Sequence, residues 1–188
     1  METRPYRMKA RADRQAATRQ RIVEAAVELH TTLGPARTSI SAIAERAGVQ
    51  RHTVYAHFPD EPALFGACSG HWSELHPFPA PERWQSIEDP VRRLRRALRD
   101  VYDWYAEVED DVALFRRDEH VYPPFREERE RSMRSLAASL AAPLGRRRLV
   151  KAAVGHALEF ETWRSLVRSQ GLSNDEAADA MVALVEAA

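Results

Sequence analysis

Cysteine is nearly absent from this chain of 188 residues, which holds a single one, Cys68. A lone thiol closes no disulfide within the chain and supports no cysteine-rich zinc site, so redox sensing would need pairing between two copies. A buried structural thiol is the expected role. No run approaches the roughly 18 apolar residues of a membrane span, and the N-terminus shows no apolar signal-peptide core. A cytoplasmic protein with no membrane partner is therefore expected. Catalytic signatures are missing as well: there is no glycine-rich phosphate loop, no GxSxG elbow, no HExxH pair and no cysteine beside a motif histidine. No enzyme and no cofactor are expected. His71, His76 and His120 are scattered in the manner of surface or core histidines rather than metal ligands. His156 falls on an apolar stripe, where a hydrogen-bonded core histidine is expected. No strand alternation and no internal repeat are present.

Net charge is also missing, with 28 Lys/Arg balancing 28 Asp/Glu. The balance hides an asymmetry. Residues 1–66 contain ten Lys/Arg and seven Asp/Glu, net +3, leaving eighteen and twenty-one, net −3, for residues 67–188. The positive charge gathers at the start, where Arg4, Arg7, Lys9, Arg11, Arg14, Arg19 and Arg21 face only Glu2 and Asp13. Such an arm either neutralises phosphates and reaches a minor groove or is a solvated tail. Steering depends on local field rather than on the sum, so overall neutrality does not exclude a polyanionic partner.

What is present is helix. A hydrophobic content of 44% over this length supports a real core. In RQRIVEAAVELHTTLG, Ile22, Ala25, Ala26, Leu29 and Leu33 recur at three- and four-residue spacing, and Gly34–Pro35 closes the segment. The next stretch, TSISAIAERAGVQRHTVYAHF at 38–58, reads as helix, glycine turn and short second helix. Thr38 or Ser39 caps the first of these, which buries Ile40, Ile43, Ala44 and Ala47. Gly48 makes the turn, since a residue with positive φ is needed there. Val49, Val54 and Phe58 complete an apolar plug. Gln50, Arg51, His52, Thr53, Tyr55 and His57 are left on the outer face and first turn of a short helix, where a recognition helix carries its DNA contacts.

On these residues the chain resembles the TetR family of bacterial transcriptional regulators. The pattern runs ungapped from Arg21, Ile22, Ala25 and Ala26 through Gly34, Thr38–Ser39, Ile43–Ala44, Ala47–Gly48–Val49, Thr53, Tyr55 and His57–Phe58 to Leu64, about 45 of the 188 residues. The resemblance implies an all-α homodimer: a three-helix helix-turn-helix head and a C-terminal antiparallel helical bundle that dimerises and binds a small effector. It implies a palindromic double-stranded DNA operator, released when the effector binds. Carried over position by position, Thr53, Tyr55 and His57 look like phosphate contacts, Arg51 and His52 like base readers, and Ser39 like a further DNA contact. Two positions depart from the family pattern. Glu61 stands where lysine is common, removing one phosphate contact, and Gln50 replaces the usual serine, a poorer cap that can reach a base edge. The division expected is an arm over 1–20, a head over 21–66 and a body over 67–188. The alternative left open by Glu61 and Gln50 is a helical small-molecule-binding or catalytic protein with a vestigial head.

The body reads as helices broken at HPFPAPE (76–82) and YPP (122–124). Asp89–Pro90 opens a long helix with the stripe Val91, Leu94, Leu98, Val101, Tyr105 and Val108; a short helix at 110–119 and another ending near Ala142 follow. One helix is expected over 146–169, with Leu149, Ala153, His156, Phe160, Trp163 and Val167 on one face and Val150, Val154 and Leu158 on another. Ser173 caps the last helix, lined by Ala177, Met181, Leu184 and Ala188, with Ala178 and Val185 widening that edge. These two helices resemble the family's dimer interface. Eleven of the fifteen aromatics lie after residue 66. Trp72, Tyr102, Trp104, Tyr105, Phe115, Tyr122, Phe125 and Phe160 are the effector-lining candidates, with Tyr102 and Trp104 off the apolar stripe beside Asp103 and Glu107, a setting that suits stacking and cation–π attraction.

Overall fold

A computed structural model describes residues 4–145 and 147–188, with side chains from Met8 onward. All regular structure among the described residues is helical, and the chain divides into two compact units. The first comprises the chain up to Pro77 together with Asp110–Tyr122; the second comprises Phe78–Glu109 and Pro123–Ala188.

The first unit opens with α1, Arg4–Thr32, so the described part of the basic arm is helix continuous with the bundle rather than a separate tail. Glu2 lies outside the described residues. A 3-10 turn, Pro35–Arg37, leads to α2, Ile40–Arg46, then α3, Arg51–His57, and α4, Glu61–Leu75. Ile22, Ala25, Ala26, Ile40, Ile43, Ala44, Ala47, Val54, Phe58 and Leu64 form one apolar core with Cys68. Each large aliphatic or aromatic side chain so buried contributes about 1.5–3 kcal/mol. Leu33, expected on the apolar stripe, is instead exposed just past the end of α1.

Two buried polar side chains sit in this unit. His30 lies with its Nδ1 3.4 Å from Cys68 Sγ and its ring 5.5 Å from that of Phe65. Burial lowers its pKa to about 4, against a smaller upward pull from Asp118. Burial likewise pushes the Cys68 thiol up to about 12, so Cys68 is the inert structural thiol expected of it.

Asp118 closes the unit from α7, Glu109–Asp118. Its carboxylate accepts from the Ala36 N–H at 3.0 Å and from Arg117 Nε at 2.7 Å, and Arg117 Nη2 also donates to the Leu33 carbonyl at 2.9 Å. The Arg117 guanidinium holds the Asp118 carboxyl below the usual carboxylate range. Gly34, at φ +91°, passes directly beneath this clasp, and a Cβ there would collide with Arg117 and Asp118.

In the second unit a short α5, Glu82–Gln85, precedes α6, Pro90–Glu107, which Asp89 caps by accepting from the Arg92 N–H at 2.7 Å. Leu94, Ala97, Leu98, Val101, Tyr102 and Tyr105 are its buried face. Then come α8, Pro123–Ala141, whose first residues are the prolines of the YPP break, and α9, Arg148–Ala157. The single helix expected over 146–169 is broken: Glu159 is extended, α10 resumes at Phe160–Arg164, and a π turn follows at Ser165–Ser169. The break exposes carbonyls that a continuous helix would pair internally. Tyr102 donates its hydroxyl to the Ala157 carbonyl at 2.7 Å and Tyr105 to that of Leu158 at 2.8 Å, and both carbonyls lie in the buried interior.

The last helix, α11, Asn174–Ala187, carries a full capping box between Ser173 and Glu176. Its buried residues are Ala177, Ala178, Val182 and Val185; Ala177, Ala178 and Val185 are thus buried as expected, whereas Leu184 of the same edge is exposed. Arg95 and Arg99 of α6 pair with Asp179 and Asp175 of α11, each at 2.8 Å, which fixes the rotation of the helix. His156 is also exposed rather than core, with Nδ1 3.3 Å from the Thr162 hydroxyl. Leu149 and Leu184 remain 66% and 44% exposed, leaving apolar surface on both α9 and α11.

Candidate nucleic-acid interface

The α2–α3 pair is built from local signals. Ser39 Oγ accepts from the Ala42 N–H at 3.1 Å and starts α2. Gly48 ends it at φ +65°, a left-handed conformation that glycine adopts without steric penalty. Ala44 and Ala47 are small enough for a close approach, and the Val49 N–H reaches back to the Ala44 carbonyl at 2.9 Å. Val54 and Phe58 anchor α3 from below, with 1% and 3% exposure. Arg19 of α1 lays its guanidinium 4.7 Å over the Phe58 ring.

Seven positions expected to touch DNA lie in this one neighbourhood. Gln50, Arg51, His52 and Tyr55 are exposed, whereas Thr53 and His57 are half-buried. Ser39 is exposed with its hydroxyl engaged in the cap. Gln50 sits at the N-cap of α3 with extended backbone and makes no side-chain cap bond. Arg51 Nη2 donates to the Tyr55 hydroxyl oxygen at 3.2 Å, a bond that spacing alone permits but does not reveal. Beyond α3, Asp60 caps α4 by accepting from the Ala63 N–H at 2.8 Å, and Glu61 stands exposed in its first turn. Together these residues present donors and cations on a short, rigidly seated helix, an arrangement suited to a groove lined with phosphates and base edges.

The effector candidates are distributed over both units. Trp72, Phe115 and Tyr122 belong to the first. The Trp72 indole N–H donates to Asp111 Oδ2 at 2.8 Å, Phe115 meets it edge-on at 5.2 Å, and Tyr122 stacks on Phe65 at 4.0 Å. Tyr102, Trp104, Tyr105, Phe125 and Phe160 belong to the second. Tyr102 is fully buried, not off the stripe, because the inward face of α6 is wide enough to include it; Tyr105 and Phe160 are buried beside it. Trp104 is half-buried, its ring 5.1 Å from that of Phe78, a residue absent from the candidates although its place in the proline-rich break marked it. Phe125 is half-buried on α8. Among the described residues no group of His, Cys, Asp and Glu is arranged to hold a metal ion, and no helix is long and apolar enough to cross a membrane.

Residues 22–68 match the family described as "Bacterial regulatory proteins, tetR family". The HTH-type transcriptional regulator TtgR of Pseudomonas putida is 36% identical over 87 residues, covering 46% of this chain and 41% of that protein. The chain thus aligns with less than half the length of this curated relative. A TetR-like transcriptional regulator from Rhodococcus sp. RHA1 shares the fold at TM-score 0.64 and 22% identity, over 90% of this chain and 94% of that one. So does AibR, solved in complex with isovaleryl coenzyme A and operator DNA, at TM-score 0.62 and 21% identity, over 89% and 97%.

Proposed function

We propose that this chain, whose residues 22–68 match the tetR family of bacterial regulatory proteins, is a homodimeric transcriptional regulator of that kind. It binds a palindromic operator and is released as a repressor when a small effector binds the body. One observation carries the operator part: α3 is pinned by buried Val54 and Phe58 while Arg51, His52 and Tyr55 stand exposed on its outer side. In this division residues 1–20 extend the cationic surface, 21–66 read DNA, and 67–188 serve effector and dimer. Tyr55, Thr53 and His57 anchor phosphates; Arg51, His52 and Gln50 approach base edges.

A second copy is the occupant proposed for the apolar surface that Leu149 and Leu184 leave open. Dimerisation sets two recognition helices about 34 Å apart, one helical turn of DNA, and an effector favouring another spacing shifts the population away from the operator-bound state. Trp104 and Phe125, half-buried in the second unit, are the candidates of that unit best able to meet a ligand. Linkage requires operator DNA to weaken effector binding by the same factor as the converse. A gel shift of the purified chain on its own upstream DNA tests the proposal. A complex that survives excess random DNA is expected, and equal competition by random and upstream DNA contradicts it.

A further inference from the structure

Arg51 opens α3 and Tyr55 follows one turn later on the same face. Besides the 3.2 Å bond from Nη2 to the tyrosine oxygen, the arginine Cζ lies 5.6 Å from the ring centroid. Tyr55 is 40% exposed and Arg51 is exposed, so no packing in the core demands the pair. The bond takes a lone pair of the hydroxyl and leaves its proton free to donate outward. It takes one guanidinium donor and leaves the others for a planar acceptor.

The Tyr55 hydroxyl also holds the Arg51 guanidinium above the usual arginine range, in keeping with that bond. The nearby carboxylate of Asp60 is committed to the Ala63 N–H.

Resting on the operator-binding reading above, we propose that Tyr55 determines base specificity through Arg51: the tyrosine fixes the direction of the guanidinium. An untethered arginine on a recognition helix can settle on the nearest phosphate, a contact blind to sequence, or reach guanine O6 and N7, a contact that discriminates. Tethering one edge to Tyr55 removes rotamer freedom before DNA arrives and leaves the remaining donors presented together. Swinging to a phosphate must break that bond. Random DNA, held by phosphate contacts almost alone, therefore gains least from an arginine held this way. Tyr55 is thus a positioning residue and keeps its own outward proton for a phosphate.

The test uses the full chain and its Arg51→Ala, Tyr55→Phe and Arg51→Ala/Tyr55→Phe variants, with circular dichroism to verify helicity. Sites are selected from random duplexes, and binding to the selected site and to random duplex is then titrated against salt. Tyr55→Phe is expected to relax the same half-site position as Arg51→Ala, by about two- to tenfold, a hydrogen bond's worth of discrimination. The double variant should relax that position no further than Arg51→Ala. Tyr55→Phe weakening both duplexes equally with an unchanged site profile would make Tyr55 a phosphate anchor alone and overturn the inference. An unchanged profile for Arg51→Ala also overturns it. A wild-type chain with no sequence preference is a separate result, which removes the operator-binding reading itself.

Discussion

Acid should loosen the head through one residue, His30. The ring is 7% exposed, packed on Phe65 and Cys68, and burial lowers its pKa from 6.5 to about 4. The unfolded chain takes up a proton near the ordinary histidine value, whereas the folded head resists until about 4. Between those values the unfolded state holds more protons, so stability is complete above about 6.5 and declines as pH falls toward 4. At about 1.36 kcal/mol per unit of separation, the loss between pH 7.5 and pH 5 comes to about 2 kcal/mol. Asp118 does not confuse this window: its carboxyl is held low by Arg117, and its contribution is lost only at pH values below the ordinary carboxylate range. The assay is urea unfolding at both pH values for wild type and His30→Gln. Other carboxylates titrate alike in the two chains and cancel in the difference. Wild type should lose about 2 kcal/mol more than the variant across the interval. Equal pH dependence in both would refute the buried, neutral histidine.

Three further outcomes follow from the packing. Gly34→Ala places a Cβ against Arg117 and Asp118 at φ +91°, so it should destabilise the chain by about 1–3 kcal/mol in urea unfolding, and a neutral result would contradict the clasp. Tyr102→Phe removes the donor to the Ala157 carbonyl at a buried helix end and should cost about 1–3 kcal/mol, whereas a loss within a few tenths would show that carbonyl satisfied otherwise. Leu184→Glu puts a charge on the exposed apolar surface of α11; it should leave helicity intact and convert dimer to monomer in sedimentation at micromolar concentration, and an unchanged dimer would displace the interface from α11.

The parts of the fold legible in the sequence are those set by near neighbours. Ser39, Gly48, Asp89 and Ser173 start or end helices where their side chains or φ angles require, and each acts within three or four residues. The outer face of α3 was readable for the same reason. Long-range pairings carried no local signal. Asp118 reaches Ala36 across 82 positions, so nothing in its own segment announced that Asp110–Tyr122 folds with the head. Tyr102 and Tyr105 looked like ligand aromatics because their spacing could not reveal the break after Ala157 whose carbonyls they cap. The ion pairs of α11 were likewise hidden, since Asp175 and Asp179 find Arg99 and Arg95 far away in sequence.

Sequence-dependent DNA binding is the central claim, and a competition titration measures it directly. The purified chain is bound to a duplex of its own upstream region and challenged with equal lengths of random duplex at fixed physiological salt. Operator affinity exceeding random affinity by about a thousandfold or more is predicted, with the preference reduced by Arg51→Ala. Equal affinity for the two duplexes would contradict the account.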